Sequence, residues 1–387
     1  MVYARAMSDD QGAVAAFTGH TGAVLSVAFA PDGEHLMTGG ADGTVRTWAW
    51  PSGRAVHTVR CHPDGVRAVA VTRGGDAVVT AGVDGIRVSR ATARTPGPAL
   101  ADQGTERAAR GVAVAPDGLT VVGASDGGVR VWSSDGRLRR VLMVAGVDMA
   151  GGMATRRTPS GGMSVVNVRR ARFPRRLWPS RVRNDAGGRI TCVTVTADGT
   201  VAAAGEDGMI RLWDLRTGRL TGTLRHAAGA VWALAVGRCA QGTRLVSAGD
   251  HGAVAIWDMR SSLRDRMLAD RAWQHRRPLV TLTHPQLAHA MAAVRTEPVA
   301  LAVPGHVYGA AMLPDGAIVT GGEDRHIRLW DGCDGTLRRT WSGHDGVVHD
   351  VAARGDHIVS AGGDGRVLCW HVDEDMPVGG TEVAQWR

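Results

Sequence analysis

A chain of 387 residues, 44 % apolar and 21 % charged, is long enough for two or three ordinary domains or one large all-β domain, with the composition of a globular protein. Its net charge of +8 rests on 45 arginines and no lysine, a bias that GC-rich coding explains, so the charge alone points to no nucleic-acid partner. No run reaches the roughly 18 apolar residues a membrane helix needs, and the start MVYARAMSDDQGAV lacks the apolar middle of a signal peptide. The expectation is an intracellular protein, cytoplasmic or nuclear, with no membrane contact. Cys61, Cys192, Cys239, Cys333 and Cys369 are scattered with no CxxC spacing, so no disulfide framework, metal site or cofactor is expected. They read as small buried hydrophobes in a reducing compartment.

The first elements along the chain are an apolar stretch, AVAAF (Ala13 to Phe17), then GHTGAVLSVAFAPDG (19–33) and TGGADGTVRTW (38–48). The second block recurs as TAGVDGIRVSR (80–90), GASDGGVRVWS (123–133), AAGEDGMIRLWD (203–214), SAGDHGAVAIWD (247–258), TGGEDRHIRLWD (320–331) and SAGGDGRVLCWH (360–371). Ahead of these lie CHPDGVRAVAV (61–71), RGVAVAPDG (110–118), ITCVTVTADG (190–199), HAAGAVWALAV (226–236), HVYGAAMLPDG (306–316) and GHDGVVHDVAA (343–353). Each unit reads as short alternating strands joined by PDG and DG turns, and the 53 glycines suit such turns. One unit cannot bury both faces of its sheet, so the units must stack side by side.

A period of about 40 residues with GH near its start and WD at its end resembles the WD-repeat family of β-propellers. The resemblance spans roughly residues 13 to 371. It implies an all-β, seven-bladed propeller of four-stranded antiparallel blades, the ring closed by the N-terminal strand, which completes the last blade. Two stretches, 143–185 and 259–303, double the spacing between repeats, so eight or nine blades stand as the alternative. The domain is expected to cover 1–371, with those stretches as insertions and 372–387 as a tail.

In this family a turn Asp, the His of GH, a strand Ser or Thr and the Trp form a structural hydrogen-bonded chain. Carried over by position, His20, Thr38, Asp42 and Trp48 make one full set, and His344, Ser360, Asp364 and Trp370 another. Partial sets are Asp126 and Trp132 (with Val122 in the hydroxyl slot), Asp207 and Trp213 (with Ala203), and His226, Ser247 and Trp257 (with His251 in the Asp slot). Thr320, Asp324 and Trp330 lack a registered His, and Ser89 takes the second repeat's Trp slot. His306 follows a glycine but stands three residues out of register, so a strand start is expected for it.

Propellers bind partners mostly at the mouth of the central channel. In some peptide-binding members the second residue of the innermost strand's V-x-x-V block lines it, a slot held here by Leu25, Arg67, Arg110, Thr191, Trp232, Tyr308 and His349. Two arginines with three ring side chains suit a peptide carrying an acidic or phosphorylated group. The insertion holds nine arginines between 155 and 184 and no acid between Asp148 and Asp185; with Phe173 and Trp178 it could track nucleic acid or an acidic protein, and Thr158 precedes a proline as a phosphorylation candidate. WDLR (213–216) and WDMR (257–260) resemble the box by which some WD-repeat proteins dock on a cullin-RING ubiquitin ligase adaptor, which would make Arg216 and Arg260 contacts. No catalytic constellation appears: Glu206–Asp207 and Glu323–Asp324 are adjacent acids whose second members fall in the structural slot. The expected function is a non-catalytic protein-interaction scaffold in a larger complex, the alternatives being a nucleic-acid-associated protein and a ligase substrate receptor.

Overall fold

Short runs in which apolar residues alternate, closed by Asp-Gly turns, fold into hairpins because the strand repeat of two places one set of side chains on one face. The computed structural model describes residues 13–91, 95–97, 100, 108–117, 120–124, 128–133, 137–143, 148–150, 153–157, 163–167, 189–226, 229–239, 242–259, 280–283, 305–333 and 335–372. Its described strands form seven antiparallel sheets, a β-propeller arrangement, and the described residues contain no α-helix. The innermost strands are Val24–Phe29, Val66–Val71, Ala109–Val114, Ile190–Val195, Val231–Cys239, Val307–Met312 and Val348–Arg354. From each, the sheet runs outward in chain order. Val24–Phe29 touches both Val66–Val71 and Val348–Arg354. Ala15–Thr18 pairs with Arg366–His371, from Ala15 opposite Cys369 to Thr18 opposite Arg366, so the start of the chain supplies the outer strand of the last sheet.

The hydrophobic clusters lie between neighbouring sheets. Phe17, Val24, Leu36 and Trp48 pack with Val359, Val367 and Cys369 where the first and last sheets meet, and Val201, Ala203 and Trp213 pack with Val129, Val131 and Leu142 further round. Each sheet therefore buries both faces against its neighbours, which is why a single repeat does not suffice.

Three expectations change. Among the described residues the sheets are not uniformly four-stranded: the second shows three strands, Val66–Val71, Ala77–Gly82 and Gly85–Arg90, while Asp148–Ala150, Met153–Arg157 and Met163–Asn167 extend the third to seven. The stretch 143–185 therefore contributes strands to that sheet edge. Within 259–303, Val280–Thr283 is the outer strand of the fifth sheet, paired with Ala253–Asp258. An outermost strand carries no motif residue, so its sequence has nothing to mark it. The cysteines also divide: Cys61 and Cys369 are buried, with burial pushing their thiols up to about 11 and about 12, whereas Cys333 is exposed.

One polar seam joins the innermost strands. Asp350 accepts the Ser26 hydroxyl at 3.0 Å and the Val27 N–H at 2.9 Å, and Ser26 Oγ accepts the Val69 N–H at 3.2 Å. Burial raises the Asp350 carboxyl to about 6 despite these hydrogen bonds and that of Val351 N–H. The folded state thus holds this proton more tightly than the unfolded chain, and the group's stabilising contribution, full below about pH 4, is lost as pH rises through about 6. Asp350→Asn removes the charge and keeps one of the two acceptor oxygens, a loss that is the same at every pH. Its stability relative to wild type should rise between pH 4 and 6 by up to about 3 kcal/mol and stay level above. Urea titrations across that range check this, and a difference independent of pH would contradict it.

Candidate functional site

The recurring Asp, His, hydroxyl and Trp build a frame at one end of the sheets. Asp42 accepts from His20 Nδ1 at 3.0 Å, so the Thr38 hydroxyl, 2.8 Å from Nε2, donates there and accepts the Trp48 indole N–H at 2.9 Å. Burial lowers the His20 pKa against the pull of Asp42, favouring this neutral form. Burial alone would raise Asp42, yet hydrogen bonds from Thr44 Oγ1, Thr44 N and Thr21 N, with His20 beside it, hold it at about 2. The last sheet repeats the arrangement: His344 reaches Asp364 at 2.8 Å and Ser360 at 2.7 Å, and Trp370 donates to Ser360 at 2.8 Å. Glycine precedes the turn because the histidine needs the space: a Cβ on Gly40 would lie 2.4 Å from His20 Nδ1, and one on Gly362 2.3 Å from His344 Nδ1.

The partial sets show what replaces a missing member. Asp207 pairs with Arg211 at 2.5 Å and Asp324 with Arg328 at 2.5 Å, a guanidinium serving as the carboxylate's partner, and Trp330 still donates to Thr320 at 2.8 Å. Trp213 is buried, and Ala203 offers its indole no hydroxyl. His226 and Trp257 both bond Ser247, at 3.0 and 2.8 Å; burial pushes His226 down to about 4 against the opposing pull of the Ala253 backbone and Asp250. Trp132 Nε1 is buried without a hydrogen-bond partner among the described residues, and Asp126 lies outside them. The sequence places a His slot at 62 without assembling its set: His62 bonds Asp84 and lies 2.8 Å from Thr80 Oγ1, in the repeat where Ser89 replaces Trp. The signal was CH at 61–62 followed by TAGVDG at 80–85. Of the adjacent acids Glu206–Asp207 and Glu323–Asp324, each second member is paired with an arginine.

At the end of the sheets where the histidine frames stand, each innermost strand opens with a bulge. The register between the innermost strand and its neighbour slips at one residue in all seven sheets, and the residues passed over are Leu25, Arg67, Arg110, Thr191, Trp232, Tyr308 and His349. A bulged residue makes no ladder pair and its side chain is re-aimed, so the same slot in every sheet is turned to one locus. Six of the seven are half-buried. Thr191 is the exception and corrects the expectation for it: it is buried, its hydroxyl donating to Val231 O and to Ala204 O at 3.1 Å, because a short hydroxyl side chain reaches the neighbouring carbonyls.

The ring residues fall into two groups. Trp232 and Tyr308 have ring centroids 6.0 Å apart, and Tyr308 and His349 6.1 Å. Asp250 accepts the Trp232 indole N–H at 2.6 Å and the Ala230 N–H at 2.8 Å, which fixes the ring. Burial, then Glu323 and Asp250, raise the Tyr308 hydroxyl pKa, and burial lowers that of His349. Arg67 lies near Arg110: burial and then that second guanidinium lower its pKa. His306 precedes the strand Val307–Met312, its ring 5.8 Å from Tyr308 and its Nδ1 2.8 Å from Asp250.

At the opposite ends of the strands, Arg216 lines a groove of about 560 Å³ with Arg139, Arg140, Asp117, Asp198 and Asp214. Arg260, Thr158, Phe173 and Trp178 lie outside the described residues, as does most of 155–184; of that stretch Met163–Asn167 and the end of Met153–Arg157 are described as strand backbone. Among the described residues no group of three or more His, Cys, Asp or Glu could hold a metal ion, and no helix is long and apolar enough to cross a membrane.

Comparison with known proteins gives six matches to the family described as WD domain, G-beta repeat, at residues 12–49, 53–86, 103–133, 180–214, 298–331 and 335–371, together just over half of the chain. The chain is 29 % identical to a ribosome biogenesis protein WDR12 homolog of Chlamydomonas reinhardtii over 289 residues, 59 % of this chain and 62 % of the relative. It is 41 % identical over 95 residues to ribosome biogenesis protein erb1 of Emericella nidulans, 24 % of this chain and 11 % of that protein. A third match, 37 % identical over 60 residues, is nuclear distribution protein nudF 2 of Talaromyces marneffei, at 15 % of this chain and 13 % of the relative. The chain thus spans less than two thirds of the length of each of these relatives.

Proposed function

Because the chain belongs to the WD-repeat family, we propose that it is a non-catalytic protein-interaction scaffold, a single domain over 1–371 whose bulged ring receives an extended peptide of a partner. The single observation that carries this reading is the bulge shared by all seven sheets at the ring positions. Seven sheets, innermost strands that neighbour one another, and a chain start paired with Arg366–His371 support seven blades in a ring closed by the N-terminal strand. Closure removes exposed sheet edges and makes the ring a rigid platform. Arg67 and Arg110 favour an acidic side chain on the peptide, because arginine forks match carboxylates. The relatives' names make ribosome biogenesis the process in which partners are to be sought.

Affinity purification with mass spectrometry tests the reading on wild type and on the double variant Arg67→Gln, Trp232→Ala, each first checked for unchanged thermal unfolding. The partner set should be lost with the variant. Recovery of every partner at wild-type yield would sink the proposal.

A further inference from the structure

Order round the ring separates two chemistries. Arg67 and Arg110 stand on adjacent strands, Trp232, Tyr308 and His349 on three others, and Leu25 and Thr191 divide the groups at both junctions. The second group has anionic backing: Asp250 holds the Trp232 indole, and the exposed Glu323 accepts the His306 backbone N–H at 3.1 Å. We propose that the Trp232–Tyr308–His349 arc with Asp250 and Glu323 forms a subsite for the ammonium or guanidinium group of a basic peptide side chain, facing an arginine pair that takes an acidic one.

The faces of aromatic rings carry partial negative charge, and a cation over them gains most where nearby carboxylates add to the field. The indole is pre-set by its 2.6 Å bond to Asp250, and Tyr308 lies between His306 and His349 in tilted ring contacts, so the rings are already ordered before a ligand arrives. His349, its proton affinity lowered by burial, contributes a neutral ring at physiological pH. Arg67 and Arg110 repel a cation from their half and attract a carboxylate, so the ring fixes the direction in which a peptide lies across it as well as its composition. The inference rests on the reading of the bulged ring as the binding site and adds a second, oppositely charged requirement to it.

The test is selection of peptides from a random display library on the immobilised full chain, with Trp232→Ala, Tyr308→Ala as the subtracting surface and two charge variants in parallel. Asp250→Asn, Glu323→Gln removes both charges. Because separate Asp250 oxygens accept the Ala230 and Trp232 N–H groups, asparagine keeps only one of those bonds, so Glu323→Gln, which keeps an acceptor for the His306 N–H, is also run alone. Arg67→Gln, Arg110→Gln removes the opposite pair. Wild type should enrich Lys or Arg about tenfold over the input at one position, together with Asp or Glu at a fixed spacing. The carboxylate variant should lose the basic preference alone, and the arginine variant the acidic preference alone. An acidic consensus lost only with Arg67→Gln, Arg110→Gln, with no basic enrichment, overturns the cation subsite and leaves the ring as a binding site. A basic preference undiminished in Asp250→Asn, Glu323→Gln also overturns it. No enrichment dependent on Trp232 and Tyr308 overturns the subsite and the ring reading together. Free methylguanidine, added as competitor, should displace the selected peptides; failure to do so while unlabelled peptide competes places recognition in the peptide backbone and contradicts the proposal.

Discussion

Replacing Trp370 with alanine is expected to lower the unfolding free energy by about 4 kcal/mol, the cost of emptying a fully buried aromatic site. Trp370 is wholly buried, its ring centroid lies 6.2 Å from that of Trp341, and its indole N–H satisfies Ser360, which also holds His344. The substitution removes packing volume and leaves a buried hydroxyl short of one partner, effects that act in the same direction. Trp370→Phe separates them: most of the volume stays and the hydrogen bond goes, for a loss of about 1 to 2 kcal/mol. Denaturant titrations of both variants check the pair. A loss below about 1 kcal/mol for the alanine variant would mean that the frame contributes little to stability.

The second large effect is expected at the other end of the chain. Phe17→Ala should cost about 3 to 4 kcal/mol, because Phe17 is buried and is the one large side chain on the strand Ala15–Thr18. Its ring lies 5.9 Å from Trp48 and 6.1 Å from Trp50, in the cluster joining the first and last sheets. A strand of four residues without that anchor has little to hold it against Arg366–His371. Amide exchange over 366–371 should accelerate, and the uncovered edge should promote self-association at high concentration. Unchanged exchange there, with unchanged stability, would show that the backbone ladder alone holds the strand.

Much of the fold was legible in the sequence because the motif residues have structural duties at fixed spacing. The Asp-Gly turns, the glycine that clears His20 and the Trp that caps Thr38 leave letters that recur in most repeats. Legibility failed where the same duty was met by different chemistry. Ser89 in place of a tryptophan hid the His62–Thr80–Asp84 set, and arginines four residues after Asp207 and Asp324 stood in for histidines. The outer strand Val280–Thr283 was hidden for another reason, since a sheet-edge strand carries no motif side chain. The ring positions were readable as a slot, but only the register shows that each is a bulge. Nor does spacing reveal that Thr191 turns to its neighbour's carbonyls or that Asp250 locks Trp232. The Asp350–Ser26 link joins residues 324 positions apart, beyond the reach of any local pattern.

The central claim is that partners engage the bulged ring and not the opposite ends of the blades. Site-specific photo-crosslinking tests this most directly: a photoreactive phenylalanine analogue is placed at Tyr308 in one protein and at Arg216 in another, and each is irradiated in the native cell extract. The account predicts discrete partner adducts from position 308 and none from 216. Adducts from 216 with none from 308 would contradict it, moving the interaction to the groove beside Arg139 and Arg140.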